Sequence, residues 1–542
     1  MARKSDILKN WPKFLLQWGV LGAIAASLIG IIPSETAVDP EAYCPMGGIQ
    51  AIATYLANHS LPCSMTSMQI MMGLVLAGAV VLFSKLFCGY ICPLGTVQDL
   101  LIRLRRHLKI KSIKIVNGSV ADKILRIVKY ALLFLVFYMT VGASELFCKN
   151  IDPYYAVATG FQGELVLWMS ITSVCVMLAG SFVVDMFWCR YICPLGAISN
   201  SLKFWVWIAA LSALWFAVNA FGLELPWSIL LGGFCLVGYL LEIFKTRPSM
   251  QLLNVTKDEI PCNNCGLCVK KCPYHIDLRA YHNGTVNHVD CTLCGECIAA
   301  CNTGALNIGV SKPTRSKVWR FIPPVLTVIL IAFGIWAGNR IEVPTIDMKW
   351  NTAGGTALES IDVEGLRSIK CYGSAMTFKA KLQAIRGTHG VKVYVKRHAA
   401  TILFDPAEIS REQLMQEIFV PSRFRIQRVD PEALPQLKCV TIRTEGMYDR
   451  YDINYLGHLF YQTGEKIYAL ETEYACPLIV RVYMDPATEV DEKWFKSVVE
   501  KEEVTVPATG GGKRTVALDY AFVEVEEDST CLIDTQELLS RF

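Results

Sequence analysis

Charge is scarce in this sequence: 18% of its 542 residues are charged, 53% are hydrophobic, and the formal net charge is +4. A chain so apolar falls outside the ordinary soluble class, and it is too long for one domain. So small a charge excess gives no electrostatic basis for a nucleic-acid partner, and the basic residues inform only through their positions. They are missing from particular windows. No Lys or Arg occurs between Ile31 and Thr66 or between Phe221 and Trp227, and only Lys149 occurs between Val141 and Gly163.

Seven apolar stretches border those windows, residues 14–32, 67–87, 124–142, 164–187, 202–221, 227–244 and 321–337. Each is near the length that crosses a hydrocarbon core about 30 Å thick. The alternate connecting segments carry Arg3, Lys4, Lys9 and Lys13, then Arg103, Arg105, Arg106, Lys109, Lys111 and Lys114, then Lys312, Arg315, Lys317 and Arg320. Basic residues stay inside, which predicts a multi-pass protein of the cytoplasmic membrane with its N-terminus and residues 245–314 in the cytoplasm and its C-terminal region outside, in the periplasm. The first stretch lacks a small-residue cleavage site and reads as a retained span, not a signal peptide.

Cysteine, by contrast, is abundant: there are 21. Cys262, Cys265, Cys268 and Cys272, followed by Pro273, form C-x-x-C-x-x-C-x-x-x-C-P, and Cys291, Cys294, Cys297 and Cys301 repeat the spacing with Asn302 in place of the proline. Three close thiolates wrap one cubane, and the fourth cysteine of each run reaches the other one. The spacing therefore predicts two [4Fe-4S] clusters, one on Cys262, Cys265, Cys268 and Cys301, the other on Cys291, Cys294, Cys297 and Cys272. Zinc is the competing use of paired C-x-x-C motifs, and this triplet-plus-one order disfavours it. His275, His282 and His288 read as surface residues and not as ligands.

Cys88-Gly-Tyr-Ile-Cys92-Pro-Leu-Gly95 recurs as Cys189-Arg-Tyr-Ile-Cys193-Pro-Leu-Gly196, each copy where an apolar stretch returns to the cytoplasm. The repeat predicts internally duplicated hairpins related by a two-fold axis near the membrane normal, with the four thiols meeting near the inner surface. If the span continues through them, cysteines four apart share one helical face. A further iron–sulfur cluster, a soft metal such as copper, and a cycling dithiol are the chemistries open to them. On the opposite side Cys44, Cys63 and Cys148 suggest an outer site, completed by Asp152, His59 or a ligand from the outer domain, with a Cys44–Cys63 disulfide as the alternative. Met65, Met68, Met71 and Met72 add thioethers suited to Cu(I), although packing is their commoner use. Cys175 and Cys235 read as core residues.

From about Ala357 the composition turns soluble. Glu364-Gly365 leads to Asp405-Pro-Ala407, and Glu445-Gly446 leads to Asp485-Pro-Ala487. The apolar periodicity of the first copy, ending on a strand near Arg423 to Gln427, predicts a ferredoxin-like βαββαβ sandwich. That copy resembles a heavy-metal-associated domain whose loop has kept one thiol, Cys371, which favours a degenerate docking domain over a metal site. Cys439, Cys476 and Cys531 are free to form disulfides with one another or with Cys371. The whole reads as a multidomain chain: an α-helical membrane bundle of about seven spans (1–244), a 2[4Fe-4S] ferredoxin insert (245–314), a last span (315–340), and an outer α+β region of two ferredoxin-like repeats (341–430 and 431–542).

Taken together, the Cys-Pro outer loop, the paired C-x-x-x-C-P-L-G motifs and the double ferredoxin segment resemble the membrane polyferredoxins, the group of NapH, the C-terminal part of NosR, and CcoG (FixG, RdxA). The resemblance covers about residues 10–340 and implies electron transfer across the cytoplasmic membrane to a periplasmic partner. The donor would be a soluble reduced ferredoxin, a flavoprotein or quinone, and the acceptor an outer-face redox or metal-handling protein. Two rival functions follow from the same residues: a copper-handling oxidase assembly factor reducing Cu(II) to Cu(I), and a redox sensor or scaffold. The outer region departs from the immunoglobulin-like domain of CcoG, no flavin domain of the NosR kind precedes the spans, and an extra pair of spans, 202–244, separates Cys193 from the ferredoxin segment.

Overall fold

The computed structural model describes residues 9–28, 45–61, 67–143, 146–161, 165–245, 247–248, 251–281, 284–310, 317–350, 358–448, 450–475, 477–507, 513–526 and 530–542. It divides into two units, Met1–Val343 and Pro344–Phe542. The cysteine-rich insert belongs to the first unit and is not separate from the helices.

Three helices are long and apolar enough to cross a membrane: Val120–Ala143, Trp227–Phe244 and Val318–Arg340. A fourth arises if Pro194–Leu202 and Trp205–Ala220, bent by 90° at their junction, count as one span. The bend falls at the start of the expected span 202–221, whose own helix, Trp205–Ala220, has 16 residues. Lys203 sits at the break, 1% exposed, with its ammonium donating to the Val289 and Cys291 carbonyls. Of the other expected spans, Ser67–Leu82 and Leu167–Val183 are apolar helices of 16 and 17 residues. At a rise of about 1.5 Å per residue they reach about 25 Å, short of a full crossing. Ser84, at φ 137°, stops the first of them before Cys88. Trp11–Leu28 runs up to the undescribed residues 29–44.

The insert folds around a three-stranded antiparallel sheet, β1 (Asn254–Lys257), β2 (Thr285–Val286) and β3 (Leu306–Gly309), in the order β2-β1-β3. Val255, Val286, Leu306 and Ile308 point from it into a core shared with Leu86, Tyr90, Ile102 and Met186 of the helical part. The insert therefore buries its apolar face against the bundle instead of forming a core of its own.

The second unit is β-rich. β4 (Ile346–Lys349), β5 (Glu359–Val363), β6 (Thr388–Tyr394) and β7 (Ala399–Phe404) form a sheet in the order β4-β6-β7-β5, with helices Tyr372–Ala384 and Arg411–Ile418. β8 (Arg423–Arg425), β9 (Gln436–Glu445), β10 (Ile467–Glu473) and β11 (Leu478–Met484) pair in the order β9-β11-β10-β8, with helices Arg450–Gln462 and Glu492–Val499. A hairpin of β12 (Glu503–Pro507) and β13 (Lys513–Ala517) follows, and then β14 (Ala521–Val525) and β15 (Cys531–Asp534) both pair with β9. β8 corrects the expected βαββαβ order, because the strand meant to close the first sheet belongs to the second. Two contacts draw it there. Arg423 pairs with Glu471 of β10 at 2.7 Å, and Phe424 packs into the second core over Gly457, where a Cβ would lie 2.2 Å from its ring. The recurrent Glu-Gly and Asp-Pro-Ala segments are turns: Gly365 and Gly446 take φ 84° and 86°, and Asp405 and Asp485 accept the amides of Ala407 and Ala487.

Candidate iron–sulfur centres

Two small cavities in the insert are lined by cysteines in a crossed arrangement. Cys262, Cys265 and Cys268 face one of them together with Cys301, and Cys291, Cys294 and Cys297 face the other together with Cys272. These are the two sets named from the spacing. The binding loops share one backbone path: Asn264 and Gly266 take φ 51° and 69°, and Leu293 and Gly295 take 55° and 74°. Alternating hands turn successive amides to one side and make a concavity suited to an anionic group. Glycine adopts this conformation freely, whereas Leu293 pays about 1–2 kcal/mol for it and is held by burial and by the Tyr90 hydroxyl donating to its carbonyl at 2.7 Å.

The thiols suit thiolate ligation of a cubane. Burial pushes Cys272 up to about 12 against hydrogen bonds from the Ile276 and Tyr274 amides, so that thiol ionises only with a cation beside it. At Cys301 burial opposes ionisation too, but the Thr303 hydroxyl and the amides of Ala305, Thr303 and Leu306 outweigh it and hold the thiol below its ordinary range. Those donors secure the loop where Asn302 replaces proline. Among the described residues no three His, Cys, Asp or Glu side chains converge closely enough to hold one metal ion. A tetrahedral zinc would need its sulfurs about 4 Å apart, whereas a cubane spreads its thiolates farther.

The two cavities differ in setting. Cys265 is exposed, while the loop of Cys291 to Cys297 is pressed against the helical part. The Thr292 backbone lies over Gly89, where a Cβ would meet its carbonyl at 3.0 Å. Ser84 donates to the Cys291 carbonyl at 2.6 Å, Lys203 to the same carbonyl at 2.9 Å, and Asn10 to that of Cys294 at 2.9 Å. Lys13 and Arg103 pair with Glu296 at 3.0 and 3.3 Å.

Asp290, 1% exposed, joins a buried ionic network. It meets Arg126 at 2.8 Å and Lys85 at 3.7 Å. Arg126 also pairs with Asp122 at 3.1 Å and with Glu242, Lys129 pairs with Glu242 at 2.7 Å, and Arg190 pairs with Asp122 at 2.7 Å. The pattern reading missed this network. Its signal was Asp122, Arg126 and Lys129 spaced along one apolar helix and the lone Glu242 on another, since ionisable groups within apolar helices seldom lack a partner. The surface reading of the histidines also needs correction. His275 pairs with Asp185 at 3.1 Å, the half-buried His288 accepts the Asp290 amide at 3.1 Å, and His282 lies outside the described residues.

The helical thiols come together on broken helices, which corrects the expectation of one continuous face. Cys88 lies in a five-residue helix, Leu86–Tyr90, and Cys189 in a five-residue π-helix, Trp188–Ile192. Cys92 and Cys193 cap the helices that follow, with proline at each first turn. Cys88, Cys189 and Cys193 all lie within electrostatic range of Cys92. Gln98 donates to Cys189 Sγ at 2.9 Å and accepts the Trp188 amide at 3.1 Å. Tyr274, next to Cys272 and Pro273, is within electrostatic range of Cys88 and Cys189. Cys92 and Cys193 also line an apolar cavity of about 560 Å³, and Cys148, Asp152 and Tyr154 line it too. Burial pushes the Asp152 carboxyl up to about 6 against a hydrogen bond from the Tyr154 amide. Cys44 and Cys63 lie outside the described residues, so of the three thiols of the expected outer site only Cys148 is placed, beside Asp152 on the cavity wall. Cys235 is buried, but Cys175 faces outward, not into a core. In the second unit Cys371 is exposed at the start of Tyr372–Ala384, where the Ser374 amide holds its thiol below the usual range.

Comparison with known proteins points the same way. A family described as a 4Fe-4S binding domain matches residues 64–111 and again 166–207, so one description covers both thiol motifs of the helices. A 4Fe-4S dicluster domain matches residues 261–306. The putative electron transport protein YccM of Escherichia coli is 24% identical over 244 residues, 44% of this chain and 55% of its own. The methylamine utilization ferredoxin-type protein MauN of Methylobacillus flagellatus is 28% identical over 198 residues, 34% of this chain and 59% of its own. The ferredoxin-type protein NapH of Haemophilus influenzae is 28% identical over 160 residues, 28% of this chain and 50% of its own. The chain thus spans less than two thirds of the length of each of these relatives. No solved structure matches it.

Proposed function

We propose that this chain, which belongs to the membrane 4Fe-4S polyferredoxins, relays electrons from a cytoplasmic donor to a redox partner on the outer face of the membrane. When bound, each 4Fe-4S group takes up and gives back one electron at a time. The chain's own residues give the relay its order. The exposed loop around Cys265 offers the entry for a soluble reduced ferredoxin or flavoprotein. The loop of Cys291 to Cys297, fixed by Ser84, Lys203, Tyr90 and Asn10, hands on toward Cys88, Cys92, Cys189 and Cys193. One observation carries this reading: the Thr292 backbone rests on Gly89, between the two cysteines of the first membrane motif.

A low-dielectric core about 30 Å thick demands stepping stones, and the four helical thiols are placed to hold one. That the same 4Fe-4S description matches both motifs supports a further cluster there over copper or a dithiol. A second reading rests on the apolar cavity of about 560 Å³. Quinone enters it as donor or acceptor, with Cys92, Cys193 and Cys148 on its walls and the Asp152 carboxyl as the proton-exchanging group. The seven apolar stretches of the sequence, three of which form helices long enough to cross, support a multi-pass chain, and the distribution of Lys and Arg supports residues 344–542 lying outside.

Sealed vesicles holding the full chain test the relay, with reductant inside and an impermeant dye outside. Dye reduction is expected, and Cys88→Ser or Cys189→Ser should abolish it with the iron of the Cys262 to Cys301 segment retained. Undiminished flux in those variants removes the helical thiols from the path.

A further inference from the structure

The second unit carries a pair of thiols that the relay does not use. Cys439 of β9 and Cys531 of β15 stand directly opposite each other across an antiparallel ladder, in register with Leu437 opposite Ile533 and Gln436 opposite Asp534. The Thr535 amide donates to the Pro435 carbonyl at 2.9 Å. Counting along the ladder from that bond puts Cys439 and Cys531 in a hydrogen-bonded pair, where the Cα atoms are about 5.5 Å apart. A disulfide spans Cα separations of about 4.4–6.8 Å, which this pairing meets. Its Cβ separation of about 3.5–4.5 Å is shorter than the roughly 5.5 Å of a hydrogen-bonded pair, so closing the bridge also draws the two strands slightly together. Both thiols are free, and they are hydrogen-bonded to each other.

Their settings differ in the way a thiol-exchange couple requires. Cys531 is exposed. Cys439 is 3% exposed and packs with Leu437, Tyr483 and Leu538. Burial pushes the Cys439 thiol up to about 12, which leaves Cys531 as the thiol that meets an incoming reagent. The bridge would fasten the last strand and helix Thr535–Arg541, which are otherwise held to the sheet by noncovalent contacts such as Arg423 donating to the Arg541 carbonyl at 3.0 Å.

We propose that Cys439 and Cys531 form a reversible cross-strand disulfide couple that exchanges with an external disulfide, either glutathione disulfide or that of a redox protein. The Cys531 thiolate attacks one sulfur of the external disulfide, forming a mixed disulfide and releasing one thiolate, which takes up a proton. Cys439 then gives up its proton and attacks Cys531 Sγ, forming the Cys439–Cys531 bond and expelling the second external thiol. Two protein thiols are oxidised and one external disulfide is reduced to two thiols. This goes beyond the relay and does not rest on it.

The test uses the full-length protein, kept anaerobic and equilibrated in glutathione buffers of rising oxidised fraction. The samples are acid-quenched, alkylated and mapped by peptide mass spectrometry. A Cys439–Cys531 cross-linked peptide is expected to appear as the buffer becomes oxidising and to vanish when reduced glutathione is restored. Cys439→Ser removes the resolving thiol, so glutathione should accumulate on Cys531 at least about tenfold above wild type. Because a buried serine is a risk to folding, the exposed Cys531→Ser supplies the second arm, in which Cys439 should remain alkylatable after denaturation at every ratio. Full alkylation of Cys531 across the whole range, a bridge from Cys531 to Cys371 or Cys476, or protection of Cys439 in Cys531→Ser each overturns the proposal.

Discussion

Replacing Asp290 by Asn removes one charge from the join between insert and helices and leaves the shape of the side chain unchanged. Burial pushes the Asp290 carboxyl up, yet Arg126, Lys85 and Lys129 outweigh it and hold the group well below the usual carboxylate range, so it is ionised. Breaking a buried ion pair from one side costs about 3–5 kcal/mol. Arg126 keeps Asp122 at 3.1 Å and also Glu242, so the loss belongs at the lower end, about 3 kcal/mol. At about 1.4 kcal/mol per factor of ten, local opening of the loop should be favoured by about a hundredfold. Amide hydrogen exchange on the iron-loaded full chain reads this directly. The Cys291, Ile298, Ala299 and Ala300 amides, which bond to His288, Gly295 and Glu296, should exchange about a hundredfold faster. The Lys270 amide, bonded to Gly266 in the exposed half, should not change. Equal acceleration in both halves, or none in either, would refute the argument that the network clamps one loop and spares the other.

Two further outcomes are expected. Crossed ligation means that Cys301→Ser disturbs the centre of the Cys262 loop and Cys272→Ser that of the Cys291 loop, each lowering the iron of the insert from about eight to about four per chain; low-temperature EPR tells the centres apart, and the opposite assignment sinks the crossed scheme. Burial, with the charges of Arg126, Lys203 and Lys85, pushes His288 down from 6.5 to about 4 although Asp290 opposes, so the unfolded chain takes up its proton first as pH falls. The stability that His288 contributes is therefore whole above 6.5, drains between 6.5 and about 4, and falls no further below, and His288→Gln should flatten the melting temperature across that window.

Cysteine spacing is a local code, which is why both sets of four, and their crossing, could be read directly from residues 262–301. The recurrence of Cys-x-x-x-Cys-Pro-Leu-Gly was legible for the same reason, since proline at a helix start and glycine beneath a turn are local demands. What escaped the pattern was set by contacts between distant segments. Ser84 ends a helix that hydropathy carries on to residue 87, because its hydroxyl is needed by the Cys291 carbonyl far along the chain. β8 reads as the end of one repeat by composition but is claimed by Glu471 in the other. Asp122, Arg126, Lys129 and Glu242 were visible as charges in apolar stretches, yet the third carboxylate on Arg126, that of Asp290, lies in the insert, and no window of sequence spans that distance.

The two membrane motifs reach one geometry by different helices, and the shared part identifies what the motif is for. One turn is α and the other π, but in both the carbonyl of the first cysteine lies over the glycine of Pro-Leu-Gly: a Cβ on Gly95 would sit 2.7 Å from the Cys88 oxygen, and one on Gly196 would sit 2.8 Å from that of Cys189. Pro-Leu-Gly is thus a device for folding the chain back beneath its first cysteine, and the thiols are what it positions. The likeness ends at the residue three places on. Gln98 reaches across to Cys189, whereas the corresponding position in the second motif is Ser199; Lys85 is in electrostatic range of both thiols, and Cys88 has Lys203 in range as well. Of the two thiols within electrostatic range of Tyr274, one is therefore hydrogen-bonded by a neutral amide and shares the field of Lys85, and the other has the fields of both Lys85 and Lys203. Any centre they share is electrostatically lopsided toward the Cys88 side, the side on which the Cys291 loop docks.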